Sequence, residues 1–388
     1  MTQDEFTVIL NIKSDRVKHV TALLTDIGQD IQGNKTMRFQ TTPSTHFARW
    51  VVLDPTASGG GSRLLFSCWF DGLLKDYLAE LAASIGPGID TIWTNCEGYQ
   101  PGCAIDGSNL YAFVIQNMVT TGFFRPQIFL CAFPGLTAKR IQACARIREA
   151  FDTLLDTEQA QQLVKQVAAL LPPPKPPQPT VENPTSWWST FTTNLANRLV
   201  GVQPGYVAPN TNVQTDPKLL NVEDQVTQNQ MTIISAIKPQ IIPRLALRIA
   251  LWVGHRNQPT RFGTLSNVAT IHLARWIIID NGKNLLFESN YDGSWESYID
   301  DFGDLASLGM NVIWANCTGF PKGGSLDIEA FKKVIRDHQI PAQVFYSAYP
   351  DQTVANIYYD KQITEGLENL LNTEDVGSFA AGVLGSGI

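Results

Sequence analysis

The chain has 388 residues, 44% hydrophobic and 17% charged, which is enough apolar material for two or three buried cores and too much for a disordered polymer. A formal net charge of −7, from 29 basic and 36 acidic residues, excludes a general nucleic-acid binder, because no excess of Lys and Arg is present to neutralise phosphates. No run of about 18 apolar residues occurs, and Met1-Thr2-Gln3-Asp4-Glu5 has no apolar signal core, so the expectation is a soluble, cytoplasmic protein.

In chain order, Thr7 to Ile12 carries the β-branched run of a strand, and Val17 to Ile27 places apolar residues at helical spacing. Strands are expected over 46–54 and 64–70, then a helix from Leu73 to Ile85 whose start is marked by Asp71-Gly72. A short strand near 91–95, a helix near 109–119, a strand at 127–133 and a long helix from Thr137 to Leu155 follow. Gly59-Gly60-Gly61 sits between two strands and reads as a hairpin tip, since a phosphate loop needs a strand-to-helix junction. The proline-rich stretch from Leu171 to Pro179 reads as a polyproline II spacer or as a ligand for a partner. After it, Trp187, Trp188, Phe191, Leu195 and Leu199 fall at helical spacing with few charges. Such a helix must lie on its own domains, on a partner protein or on a membrane surface.

From Thr232 the element order repeats, and so do the residues. His46-Phe47-Ala48-Arg49-Trp50 recurs as His272-Leu273-Ala274-Arg275-Trp276, and Phe70-Asp71-Gly72 as Tyr291-Asp292-Gly293. Ile92-Trp93-Thr94-Asn95-Cys96 recurs as Ile313-Trp314-Ala315-Asn316-Cys317, and Ala132-Phe133-Pro134 as Ala348-Tyr349-Pro350. The order of the blocks is kept, so the chain divides into repeat 1 (1–157), a connecting region with the proline-rich spacer and Trp-containing helix (158–228), and repeat 2 with a small-residue tail (229–388). Without its extra middle elements each copy reads β-α-β-β-α-β, a ferredoxin-like α+β unit. Its sheet has one uncovered face, and two copies packed as an intrachain pseudo-dimer cover each other.

This arrangement resembles the dimeric α+β barrel superfamily, which includes dye-decolorising peroxidases and chlorite dismutases. The peroxidases' Gly-x-x-Asp-Gly signature is matched in part by Ser289-Asn290-Tyr291-Asp292-Gly293, where the first glycine is absent. The resemblance implies a haem cofactor, with Arg275 and Asp292 as distal residues acting on peroxide and a histidine on the iron. A proximal ligand would come from His338 or His272. The residues taken without the resemblance point rather to a second function, a non-enzymatic binding module whose two open sheets enclose an apolar cavity for a small molecule or lipid. In that reading Trp187, Trp188 and Phe191 contact a lipid surface or protein partner.

The second hairpin can be registered from Asp280-Asn281-Gly282-Lys283, whose Asn-Gly suits a type I′ turn. Counting back opposes Ile277 to Leu286, Arg275 to Glu288, Leu273 to Asn290 and Ile271 to Asp292. One face thus gathers Arg275, Glu288, Asn290 and Asp292, the candidate catalytic row, and His272 falls on the other face. In copy one Ser67 and Trp69 replace Glu288 and Asn290, so a polar site is expected in copy two. Arg275–Glu288 can also be a cross-strand ion pair, Asp71 and Asp292 helix caps, and His338 a cation at a helix C-terminus. The six cysteines form no C-x-x-C and no zinc spacing, and Cys96 and Cys317, without a visible base, read as packing residues.

Overall fold

A computed structural model of the chain describes residues 3–55, 61–119, 127–155, 227–256, 268–305 and 307–372. These form a mixed α/β structure with two four-stranded antiparallel sheets and nine α-helices. Copy one contributes β1 (Gln3–Asn11), α1 (Val17–Gln29), β2 (Thr45–Leu53), β3 (Arg63–Asp71), α2 (Leu74–Trp93), α3 (Gly107–Asn117), β4 (Gln127–Cys131) and α4 (Ala138–Leu155). Copy two contributes β5 (Gln228–Ala236), α5 (Ile241–Arg256), β6 (Ile271–Ile279), β7 (Asn284–Asp292), α6 (Trp295–Leu305), α7 (Ser307–Trp314), α8 (Ile328–His338), β8 (Val344–Ser347) and α9 (Val354–Asn372). The proline-rich stretch and Trp187, Trp188 and Phe191 lie outside the described residues. Among the described residues no helix is long and apolar enough to cross a membrane.

The expected strand near 91–95 is instead the end of α2, which runs through Gly86-Pro87-Gly88. That tripeptide reads as a breaker. Here the glycines serve close approach: a Cβ on Gly86 would press on the Ala104 carbonyl and one on Gly88 on the backbone at Thr36. The buried residues Leu78, Leu81, Ile85, Ile89 and Ile92 continue one helical stripe across the proline, so burial overrides the local signal.

The sheet orders are β1-β3-β2-β8 and β4-β6-β7-β5, so each copy gives its last strand to the other copy's sheet. β4 pairs with β6, placing Phe129 opposite Arg275, and β8 pairs with β2, placing Phe345 opposite Arg49. The outer sides of the donated strands complete the receiving cores: Ile128 and Leu130 join copy two, Val344 and Tyr346 join copy one. Tyr346 stacks on Phe39 at 4.6 Å. Residues that precede each donated strand also touch their own copy's edge, since Val119 N donates to Thr7 O at 2.8 Å and Ile340 N to Thr232 O at 2.8 Å. Two self-contained sheets, the simplest form of a tandem repeat, are therefore not what the chain builds. α4 and α9 follow the donated strands and pack antiparallel, tied by Arg140–Glu368 at 2.7 Å and Arg148–Asp360 at 2.9 Å.

Helices cover the outer faces of both sheets, and the inner faces meet each other. Val51, Leu53 and Leu65 from one sheet interlock with Ile277, Ile279 and Leu286 from the other. This apolar layer sits toward the hairpin ends, where Arg63 of one sheet pairs with Asp280 of the other. The Asp280–Lys283 turn closes as expected, with Lys283 N donating to Asp280 O at 3.2 Å and positive φ at Asn281 (53°) and Gly282 (86°). Further along the same inner faces the apolar side chains give way to charged ones.

Candidate functional site

The centre of the intersheet space holds Arg49 on β2, Arg275 on β6, Glu288 on β7 and Glu5 on β1. Strand alternation turns all four inward. Arg275 Nη2 lies 2.8 Å from Glu5 Oε2 and its Nη1 lies 3.3 Å from Glu288 Oε2; Arg275 also donates to Thr7 Oγ1 at 2.5 Å. Arg49 donates to Met231 O at 2.8 Å, to Thr232 Oγ1 at 3.1 Å and to Asn290 Oδ1, and its Nε is 3.8 Å from Glu288 Oε1. Ser67 Oγ donates to Glu288 Oε2 at 3.0 Å. Two guanidinium and two carboxylate groups thus meet in one buried network, which balances their charge where unpaired ions would be costly. Burial pushes the Arg49 pKa down, Glu288 opposes that shift and Arg275 adds to it.

The network has an approximate twofold relation. By strand register Thr7 corresponds to Thr232, Glu5 to Gln230, and Arg49 to Arg275. Each arginine reaches across to the same two positions on the other copy's first strand, since Arg49 also meets Gln230 Oε1 at 3.4 Å. The expected Arg275–Glu288 pairing is present, but the polar site does not belong to copy two alone. Arg49 was legible as the equivalent of Arg275 within the repeated block; Glu5, Thr7 and Ser67 became members only when the sheets closed on each other.

The register below Leu273 differs from the regular count. A bulge between Ile271 and Leu273 puts Ile271 opposite Tyr291, and His272 becomes the extra residue. It therefore does not sit on the far face as a regular hairpin requires. Its Nε2 lies 2.6 Å from Asp292 Oδ1, while Asp292 Oδ2 accepts from Val354 N at 2.7 Å. Copy one repeats the device: the bulge falls between Thr45 and Phe47, His46 Nε2 lies 3.0 Å from Asp71 Oδ1, and Asp71 Oδ2 accepts from Ala138 N at 2.9 Å. Both Asp-Gly aspartates are caps, yet of the helices that follow the donated strands, α4 and α9, rather than of the helices that follow them in sequence. Asp292 is thereby drawn out of the Arg275 row.

The two histidines differ in their second nitrogen. His46 Nδ1 is 2.9 Å from the Tyr349 hydroxyl, whereas His272 Nδ1 has no hydrogen-bond partner and the His272 ring meets the Phe133 ring edge-on, 5.7 Å between centroids. His338 ends α8, and its Nδ1 donates to Val334 O at 2.8 Å. α8 buries Phe331 and Ile335 in the outer core of the second sheet, so that sheet lies between the helix and Arg275.

These positions do not fit a haem addressed by Arg275 and Asp292. Arg275 and Glu288 are bound to each other, and His338 is on the wrong side of the sheet. The cavity beside Arg275, Glu288, Ser67 and Trp69 is about 10 Å³, room for one water. This cavity, lined by Arg49, Arg275, Glu288 and Glu5 as well as apolar side chains, is far smaller than the apolar cavity expected between open sheets. Arg275 Nε and Glu288 Oε1, whose side chains line this cavity, lack hydrogen-bond partners within the protein, as does Asn290 Nδ2.

Among the described residues no group of three or more His, Cys, Asp and Glu is placed to hold a metal ion. Burial raises the thiols of Cys68 and Cys131, and pushes Cys96 and Cys317 up to about 12, so none is a ready nucleophile near neutral pH. No family model matches this sequence, no curated protein matches it, and no solved structure matches it.

Proposed function

We propose that this chain is a non-enzymatic interaction module on a single-chain, pseudo-symmetric scaffold of the dimeric α+β barrel type. The observation that carries this reading is the state of the interior. Its titratable groups are spent on each other, about 10 Å³ remains beside them, and that volume is far below the several hundred Å³ of an ordinary ligand or cofactor pocket. Buried ionic networks of this kind specify how two surfaces register, here the two sheets. The exchanged strands serve the same end, because neither copy completes its core without the other. Accessible apolar surface lies on the outside instead, on α5, where a cleft of about 230 Å³ opens.

Haemin titration of the purified full chain, followed by absorbance, tests this reading against the peroxidase-like one. The expected outcome is a haemin spectrum that the protein leaves unchanged. A Soret band that forms with the protein and disappears in His272→Ala or His338→Ala would overturn the module reading and support haem binding.

A further inference from the structure

Charge is unevenly spread along this sequence. Between Asp224 and Asp280 there is no acidic residue, although the chain as a whole carries a net charge of −7. Lys238, Arg244, Arg248, Arg256 and Arg261 all fall in that stretch, together with α5. Along α5 five apolar side chains face solvent: Ile241 (83% exposed), Ile242 (73%), Leu245 (57%), Ile249 (52%) and Val253 (37%). Scattered exposed apolar residues are ordinary, but a contiguous row marks a contact surface. Arg244 and Arg248 border the row, are themselves exposed, and make no ion pair among the described residues. The cleft between this helix and the Asn281-Gly282 turn is walled by Ile237, Ile241, Leu245 and Ile278, with both arginines at its lip.

The duplication supplies an internal control. Aligned on their buried residues, Val20 with Leu247 and Leu24 with Leu251, α1 places Lys18, Ala22 and Asp26 where α5 places Leu245, Ile249 and Val253. The fold therefore does not require an apolar outer face on this helix.

We propose that the outer face of α5 docks on the anionic surface of a lipid bilayer. The helix would lie in the interface plane, its apolar row among the upper acyl chains and Arg244 and Arg248 at headgroup phosphates. Charge separates this occupant from the two nearest alternatives. A second copy meeting the same face across a twofold axis brings like-charged arginines together. The chain's own Trp187-to-Leu199 segment contains Arg198 and no acidic residue, so it offers the arginines nothing. The inference rests on the interaction-module reading and names its partner class.

The test is co-sedimentation of the full chain with phosphatidylcholine vesicles made with and without phosphatidylserine, alongside light scattering of the protein alone. Binding is expected to the phosphatidylserine vesicles, weakened by salt, and a monomer is expected in solution. Leu245→Glu with Ile249→Glu should lower binding roughly tenfold or more, and Arg244→Gln or Arg248→Gln about fivefold each. Ile242→Ser provides a milder variant should the double substitution fail to fold. Absence of binding to anionic vesicles, or binding that survives all these substitutions, overturns the proposal. So does a wild-type dimer that Leu245→Glu with Ile249→Glu converts to monomer, which would assign the face to self-association. Any of these results leaves the haemin outcome untouched, so the two readings fail separately.

Discussion

The two copies follow the same course of strands and helices, but they fill equivalent positions differently. At the sheet centre copy one has Ser67 where copy two has Glu288, and both arginines take that single carboxylate as a partner. At the bulge, His46 has Asp71 and Tyr349, whereas His272 has Asp292 and the bare ring of Phe133. On the outer helix, α1 is polar and α5 apolar. What the copies keep in common identifies the scaffold: the inward arginine, the bulged histidine, the Asp cap and the donated strand. What they do not share falls into two groups. The difference at the sheet centre is complementary, Ser67 of one copy donating to the carboxylate that the other supplies, whereas the differences at the bulged histidine and on the outer helix are uncompensated within the chain.

The sharpest break of that comparison is at the shared carboxylate. Glu288→Gln leaves Arg49 and Arg275 with only Glu5 nearby and should cost roughly 3–5 kcal/mol of unfolding free energy, as expected when one member of a buried ion network is removed. Ser67→Ala at the equivalent place should cost about 1–2 kcal/mol for one hydrogen bond to a carboxylate. Urea unfolding of both variants measures the difference, and equal losses would remove Glu288 from its central role.

A finer comparison concerns the two histidines. Phe133→Tyr offers His272 Nδ1 the hydroxyl that Tyr349 already offers His46, and should raise stability by about 1 kcal/mol; Tyr349→Phe should lower it by a similar amount. Denaturation midpoints of the two single variants and of the pair decide this, and opposite signs for the two singles are the expected result. At the outer helix the smallest effect is expected. Leu245→Lys, which copies Lys18 of α1, should change stability by no more than about 0.5 kcal/mol, and a larger loss would mean that the exposed row packs within the chain.

Much of this arrangement was legible before any coordinates. Repeated blocks containing Trp, Cys and Asp-Gly revealed the duplication and marked out β2, β3, β6 and β7, and the Asn-Gly turn gave the Arg275–Glu288 pairing. Three features were not legible, each for a physical reason. The bulges at His46 and His272 add one residue without any glycine or proline to announce them, so counting from the turn drifts onto the wrong face. The continuation of α2 through Pro87 depends on close backbone neighbours, at Thr36 and Ala104, that lie outside the helix in sequence. The exchange of β4 and β8 leaves no local trace, because a donated strand has the same alternation as one retained.

By itself, then, the sequence determined the two copies, their element order apart from the strand expected near 91–95, and the same-face placement of Arg275 and Glu288, because these follow from short-range periodicity and turn chemistry. Only the tertiary structure decided which residues those groups meet. Glu5, Thr7 and Ser67 reach Arg275 and Glu288 across the intersheet space, and Asp292 is claimed by His272 and the start of α9. Long-range pairing of this kind is settled by how buried charges and hydrogen-bonding groups can all be satisfied at once. That condition applies to the closed pair of sheets and has no counterpart in either copy alone.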